Sequence, residues 1–231
     1  MNVLVACEES QRVCTAFRLK GHQAFSCDIL APSGGHPEWA IQGDCIPLLN
    51  GNCEFTTVEG GVKCIYGPWD LIIAHPPCIY LTNVATNHHS LACASLDAIN
   101  ARTMKRIDAM AFFMRFCLAD CDRIAIENPV GVLNTCYRKP DQIINPWQFA
   151  ESTEDAENYV TKATCLWLKG LEPLRVNDLP KPDNEEMFGR NPSGKVSNWE
   201  ERQRGADGMS RSQMRSKTFT GVARAMAEQW G

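Results

Sequence analysis

Cys78 stands directly behind two prolines at the end of an apolar run, in the stretch DLIIAHPPCIYLTN (residues 70–83). A cysteine used only for packing needs no such setting; a nucleophile does, because Pro76 and Pro77 fix the backbone and hold the thiol in one direction. A thiol attacks as its thiolate, so something nearby must help it lose its proton. His75 or a neighbouring cation fills that role, or His75 is a hydrogen-bonding structural residue. A second chemical pair, Glu127 and Asn128, closes another apolar run, DRIAIENP. Glu8 follows NVLVAC, Asp28 closes HQAFSCD, and Asp44 completes a Gly-Asp step. An acid after the second strand is where nucleotide-binding α/β folds hold a ribose hydroxyl. Asp28 fits that role, or it simply begins a turn.

These groups meet only if the elements behind them end on one line. NVLVAC reads as a short strand, SQRVCTAFRLKG as a helix with Val13 and Phe17 on its inner face and Gly21 at its close, and HQAFSCDI as a second strand. That is a βαβ opening. CEFTTVEGGVKCIYG has the form of a hairpin turning at Glu59-Gly60-Gly61, and WDLIIAH that of a fully apolar strand. The run from Ser95 to Leu118 predicts a long helix with Met104, Ile107, Met110, Ala111 and Met114 at core spacing. DRIAIENP and TCLWLKGL are further buried strands, and FTGVARAMAEQW is a closing amphipathic helix with Val222, Met226 and Trp230 on one face. The order predicts an α/β fold, a mostly parallel sheet with helices on both faces, in which ligands bind beyond the carboxyl ends of the strands. CEES, Asp28, HPPC and ENP then converge on one crevice.

The chain has 231 residues, 44% of them hydrophobic and 22% charged, with a formal net charge of −4. This suits one domain with a small appendage. The charge carries no global signal for nucleic acid, so any basic surface is local. The first residues lack the features of a signal peptide, and no apolar run approaches a membrane span, so the expected location is the cytoplasm. Twelve cysteines in that setting are thiols, metal ligands or catalytic groups rather than disulfides. Without a CxxC pair or matching histidines no metal site is expected, and most of the cysteines read as small buried hydrophobes.

HPPC after one apolar strand and IENP at the end of the next resemble the cytosine-5 DNA methyltransferases, whose Pro-Cys motif carries the nucleophile and whose Glu-Asn motif carries the acid. More closely, the chain is similar to a group of small phage and prophage DNA cytosine methyltransferases. The resemblance rests on ACEES, WDLIIAHPPCIYLT, IENP, KATCLWLKGL and TFTGVARAMAEQWG in order, and runs from Leu4 to Gly231. It implies a Rossmann-like, S-adenosylmethionine-dependent methyltransferase fold, working in a bacterial or phage-infected cell. Cys78 would add to carbon 6 of a cytosine, Glu127 would hold or protonate the ring nitrogen, and Asn128 would position that loop. S-adenosylmethionine would be bound around Cys7, Glu8, Asp28, Asp44, His75 and Pro76, with Asp28 at the ribose, Asp44 at the adenine and the main chain of Cys7 and Glu8 at the methionine end. Residues 1–174 would form the catalytic core, 175–217 a polar basic loop or reduced recognition segment, and 218–231 a helix returning to the core.

The chain departs from the family pattern in four places. Its first motif, ACEESQRV, has no glycine, and Glu8 or Glu9 is the group left to meet the cofactor's amino end. Lys162, in VTKATCLWL, stands where the family has paired arginines and supplies a point charge instead of a planar fork. Ile79 replaces the glutamine usual after the nucleophile. The recognition domain is reduced to the stretch from Arg175 to Lys217. There Arg190, Lys195, Arg202, Arg204, Arg211, Arg215 and Lys217 outnumber Glu200, Glu201 and Asp207. Such a patch neutralises phosphates, or is an ordinary solvated loop; Trp199 stacks on a base or pins the loop to the body. The expected partner is DNA, read with short or lax specificity. The alternatives are the same chemistry on a free cytosine nucleotide, methylation of an exocyclic amino group, and an inactive relative that binds DNA or cofactor.

Overall fold

The computed structural model describes residues 1–82, 90–197 and 216–231, arranged on a seven-stranded sheet with a separate two-stranded ribbon. β1 (Asn2–Ala6), α1 (Arg12–Leu19) and β2 (Gln23–Asp28) open the chain. β3 (Ala40–Gln42), the ribbon of β4 (Cys53–Thr56) and β5 (Val62–Ile65), and β6 (Leu71–Ala74) follow. α2 (Leu96–Cys117) leads into β7 (Ile124–Pro129), α3 (Leu133–Cys136) and β8 (Gln142–Ile144). β9 (Thr164–Lys169), the short α4 (Asn184–Phe188) and α5 (Thr220–Trp230) complete it.

The strand order is β3-β2-β1-β6-β7-β9-β8. The first five of these are mutually parallel, β9 runs antiparallel to β7, and β8 antiparallel to β9. Strands covered on both faces carry apolar residues without alternation, which is why NVLVA, LIIA and IAI read as unbroken runs. The pleat divides them. Leu4, Ala6, Ile72, Ala74, Ile124 and Ile126 face a core completed by Phe113 and Phe116 of α2 and by Phe55 and Ile65 of the ribbon. Val3, Val5, Leu71, Ile73 and Ala125 face a second core completed by Val13 and Phe17 of α1 and by Val222, Met226 and Trp230 of α5. Helices therefore cover both faces, and the α/β, Rossmann-like class expected from the sequence is what the chain adopts.

Two expectations are corrected. α2 begins and ends where its sequence places it, with the Ser95 hydroxyl accepting from the amide of Ala98 at 3.3 Å. Its packing face differs, because Met104 is 58% and Ile107 51% exposed, and Ala111 is exposed as well. Phe113 and Phe116 make the core contact, with Met110 and Met114 half-buried beside them. The reason is length: 22 residues of helix extend about 33 Å, whereas the six residues of β7 extend about 20 Å. The amino-terminal half of α2 overhangs the sheet. Of the twelve cysteines, five are buried, four half-buried and three (Cys64, Cys93, Cys136) exposed, and none is in a disulfide. Fewer than half are thus the fully buried hydrophobes expected.

The polar stretch after β9 begins as an extended strap on the face covered by α5. The amide of Arg175 donates to Gln229 Oε1 at 2.8 Å, Asn177 Nδ2 to Ala150 O at 2.9 Å, and the Tyr159 hydroxyl to Pro180 O at 2.9 Å. Asn184 Nδ2 then reaches the Thr161 hydroxyl at 2.8 Å. Asp183 caps α4, and Arg190 is held in a two-pronged pair with Glu185, both contacts at 2.8 Å. Trp199, Glu200, Glu201, Arg202, Arg204, Asp207, Arg211 and Arg215 lie outside the described residues. Among the described residues, no helix is long and apolar enough to cross a membrane and no group of three or more His, Cys, Asp or Glu could hold a metal.

Candidate active site

Parallel register brings the strand ends to a common edge. Ala6 pairs with both Cys27 and Ala74, Ala74 with Ile126, and Asp28 with Gln42. Cys7, Asp28, His75 and Glu127 therefore emerge side by side, with Asp44 just beyond β3. Lys162 joins them for a different reason. Because β9 is reversed, Thr164 at its start pairs with Pro129 at the end of β7, so the residues ahead of β9 lie at the reactive edge. Sequence carries no direction for an isolated strand, and the placement of Lys162 is legible only once β9 is seen to run backwards.

Two loops at this edge are braced against each other. Pro76 is buried, and its carbonyl accepts a 2.8 Å bond from Asn128 Nδ2. Thr82 forms a bridge with Gly131, and the amide of Val132 donates to Leu81 O at 2.9 Å. A Cβ on Gly131 would lie 1.9 Å from that same Leu81 oxygen, so the contact admits only glycine. Cys78 is half-buried, and its carbonyl accepts from the amides of Leu81 at 2.9 Å and Thr82 at 3.1 Å, which closes a tight turn after it. Arg106 Nε donates to Tyr80 O at 2.9 Å and Arg102 Nη2 to Ile79 O at 3.4 Å, both from the overhanging half of α2. These arginines are four apart on one helix face, a spacing that was available in the sequence but had no loop to point to.

His75 turns its Nδ1 to Glu127. Its Nδ1 lies 2.9 Å from Glu127 Oε2, and the two side chains are only 6% and 17% exposed. Burial opposes the charge on His75, but the hydrogen bond and charge of Glu127, with Glu8 behind, outweigh it and raise the imidazole above its ordinary value. Burial likewise opposes a charged Glu127, yet the His75 contact and the positive charge of Lys162 hold it below the usual carboxylate range. Both shifts favour the same arrangement, an imidazolium against a carboxylate. Lys162 is half-buried, with its Nζ 5.5 Å from the centre of the Phe219 ring.

The glycine-free turn between β1 and α1 reaches its shape without glycine. Cys7 (φ 60°) and Gln11 (φ 57°) both adopt the left-handed conformation, which costs a non-glycine residue roughly 1–2 kcal/mol. Gln11 is completely buried and secures the turn: its amide group donates to His36 O at 2.8 Å and accepts from His36 N at 3.1 Å. Glu8, expected at the cofactor's methionine end, turns its carboxylate toward α1. Its two carboxylate oxygens accept from the amides of Val13 at 2.6 Å and Cys14 at 3.1 Å, capping α1 from inside the turn. A helix start exposes unpaired amides and a partial positive charge, and Glu8 is the group that answers them. Burial pushes its carboxyl up to about 7, against the lowering pull of His75 and of those two amides.

Cys7 is half-buried, and its Sγ lies 4.0 Å from that of Cys45; this contact and burial raise its thiol well above the ordinary value. Asp28 Oδ1 accepts from the amide of Leu30 at 2.8 Å, and Asp44 Oδ1 from that of Ile46 at 3.0 Å. Both reach the main chain two residues on, the turn-forming geometry of aspartate. Half-buried Asp28 is raised by burial, with the Leu30 amide opposing. Ile29 is 75% and Leu30 54% exposed beside it, which leaves apolar surface next to two carboxylates. This donor set suits an adenosine: acids for hydroxyl and amino groups, and a flat apolar wall for the base.

No family model matches the chain, and no curated protein does. Among solved structures it is similar to an E. coli protein encoded within a prophage and named as a DNA modification methyltransferase. The two are 12% identical, with a TM-score of 0.44 over 83% of this chain and 55% of the other. This chain thus spans about half the length of that protein.

Proposed function

We propose that this chain is a DNA cytosine-5 methyltransferase that takes its methyl group from S-adenosylmethionine. The observation that supports this reading is the bracing of two loops at one edge: the Cys78 turn, held by Asn128 through Pro76 O at 2.8 Å, and Glu127, held by His75 at 2.9 Å. Cys78 Sγ bonds as thiolate to carbon 6 of the cytosine, and the electron pair of the C5=C6 bond moves toward the N3 side of the ring. Glu127 directs a proton to N3, which leaves a neutral enamine nucleophilic at carbon 5. After carbon 5 is methylated, its hydrogen leaves as a proton to solvent water, and the electron pair so freed restores the C5=C6 bond as Cys78 departs as thiolate. Asn128 fixes the main chain ahead of the thiol, and Lys162 adds positive charge beside Glu127.

When bound, S-adenosylmethionine supplies an electrophilic methyl group. Asp28 would hold its ribose, Asp44 its adenine, Ile29 and Leu30 would cover the base, and the Cys7–Gln11 turn would lie against the methionine end. A duplex substrate must give up its base from the stack to reach a half-buried thiol. In this reading residues 1–174 are the catalytic core and 175–217 a reduced recognition segment; of the patch's described cations, Arg190 is engaged by Glu185, and Lys195 and Lys217 are left for phosphates.

Covalent trapping tests the reading. The protein is incubated with S-adenosylmethionine and a mixed-sequence duplex containing 5-fluorocytosine, which blocks release, and its intact mass is measured. The expected result is an adduct that Cys78→Ser abolishes. Cofactor binding without an adduct would turn the reading toward a free nucleotide or an exocyclic amino group, and neither cofactor nor adduct would turn it toward a non-enzymatic protein.

A further inference from the structure

We infer that His75 is the proton reserve of this site: it holds, against Glu127, the proton that goes to the pyrimidine ring. The inference rests on the cytosine-5 reading, in which Cys78 and Glu127 act on the ring and His75 only holds Glu127. His75 is nonetheless nine-tenths buried, with its Nδ1 2.9 Å from Glu127 Oε2. A histidine retained only for packing has its ring nitrogens satisfied. Here Nε2 is buried with no hydrogen-bond partner among the described residues. What His75 has is a carboxylate.

The charges facing it come from four elements. Glu127 on β7 and Glu8 in the turn after β1 favour the imidazolium, and Lys162 ahead of β9 opposes it. Asp28, at the end of β2 and raised by burial, also feels the His75 charge, which pulls the other way. Acids outnumber the lysine, so the ring keeps its proton.

The chemistry needs such a reserve. Glu127, held below the ordinary carboxylate range, stands ionised before reaction and has no proton of its own to give. As Cys78 Sγ bonds to carbon 6 and N3 becomes basic, the Nδ1 proton of His75 passes to Glu127, and Glu127 releases it to N3. His75 ends neutral, the ring adduct neutral, and Glu127 a carboxylate again. When carbon 5 loses its proton and the bond from carbon 6 to Cys78 breaks, N3 returns its proton by the same route. One proton leaves His75 on addition and one returns on elimination, with no change of oxidation state. His75 touches the substrate only through Glu127, so it is a positioning residue.

Two readouts on the full chain test this. In nitrogen-15 NMR of the protein alone, the His75 ring should be doubly protonated at pH 7 and become neutral in Glu127→Gln. In the 5-fluorocytosine assay, wild-type adduct formation should slow as pH rises past the His75 transition. His75→Gln keeps an N–H for Glu127 but has no proton to release. It should form adduct about a hundredfold more slowly, the lower range for lost acid catalysis, and should lack that alkaline limb. A neutral His75 at pH 6, or a His75→Gln variant with the wild-type rate and limb, overturns the inference. If the wild-type protein traps no cytosine while NMR shows the imidazolium, the cytosine-5 reading falls and the ring is lost as the proton's destination, whereas the store on His75 stands.

Discussion

Cys7 and Gln11 adopt the same left-handed backbone for different returns. Cys7 sets a thiol contact at 4.0 Å and packing against the core against its strain, while Gln11 makes two buried hydrogen bonds to His36. Glycine relieves the strain at either site, though it is more flexible when unfolded. Cys7→Gly should therefore leave stability within about 1 kcal/mol of wild type or raise it. Gln11→Gly should lower it by about 1–3 kcal/mol, because two hydrogen bonds worth roughly 1 kcal/mol each are lost. Urea denaturation of both variants separates them. At this scale the places of Cys78, Glu127 and Asn128 at one edge of the sheet were legible, since each lies at or just past the end of an apolar run. The work of Glu8 was not. Its carboxylate reaches the amides of Val13 and Cys14 only because Cys7 and Gln11 turn the chain back on itself, and nothing in residue spacing announces a left-handed cysteine.

Among the elements, strands were easier to read than the face of the longest helix. The parallel strands are covered on both sides, so their apolar runs leave little choice, whereas α2 carries apolar residues along its length but meets the sheet over half of it. Phe113→Ala should cost about 3–5 kcal/mol, as for a large aromatic removed from a packed core. Ile107→Ala, on the overhang, should stay within about 0.5 kcal/mol. Equal losses in urea denaturation would mean that α2 packs along its whole length. The overhang is also what allows Arg102 and Arg106 to reach the carbonyls after Cys78. β3 and β8, three residues each, fell below what periodicity resolves, and the reversal of β9 is a property of the chain's path that no window of residues contains.

For the molecule as a whole, the buried charges set a pH dependence. Glu8, raised from 4.5 to about 7 in the fold, contributes a penalty that is absent in acid and complete above pH 7. His75, raised above its model-compound value of 6.5, gives stability that is complete below that pH and fades as pH climbs through its folded transition. Glu127, lowered from 4.5, gives stability that is present above that pH and is lost as acid protonates it. The signs combine to place the stability maximum near pH 5. The melting temperature should fall from pH 5 to pH 8 and again below pH 4; a steady rise from 5 to 8 would show that Glu8 and His75 are not in these states. The formal charge of −4 foretold none of this, because it counts ionisable groups without their surroundings.

The strap from Arg175 to Asn184 acts as a tether. It leaves beside Gln229, near the far end of α5, and arrives beside Thr161, next to Lys162. Between those ends Asn177 is tied to Ala150 O and Pro180 O to the Tyr159 hydroxyl. The chain that leads into residues 175–217 is thus sewn to the body at four points by the time it enters α4, so whatever that segment does, it does from a fixed root beside Lys162.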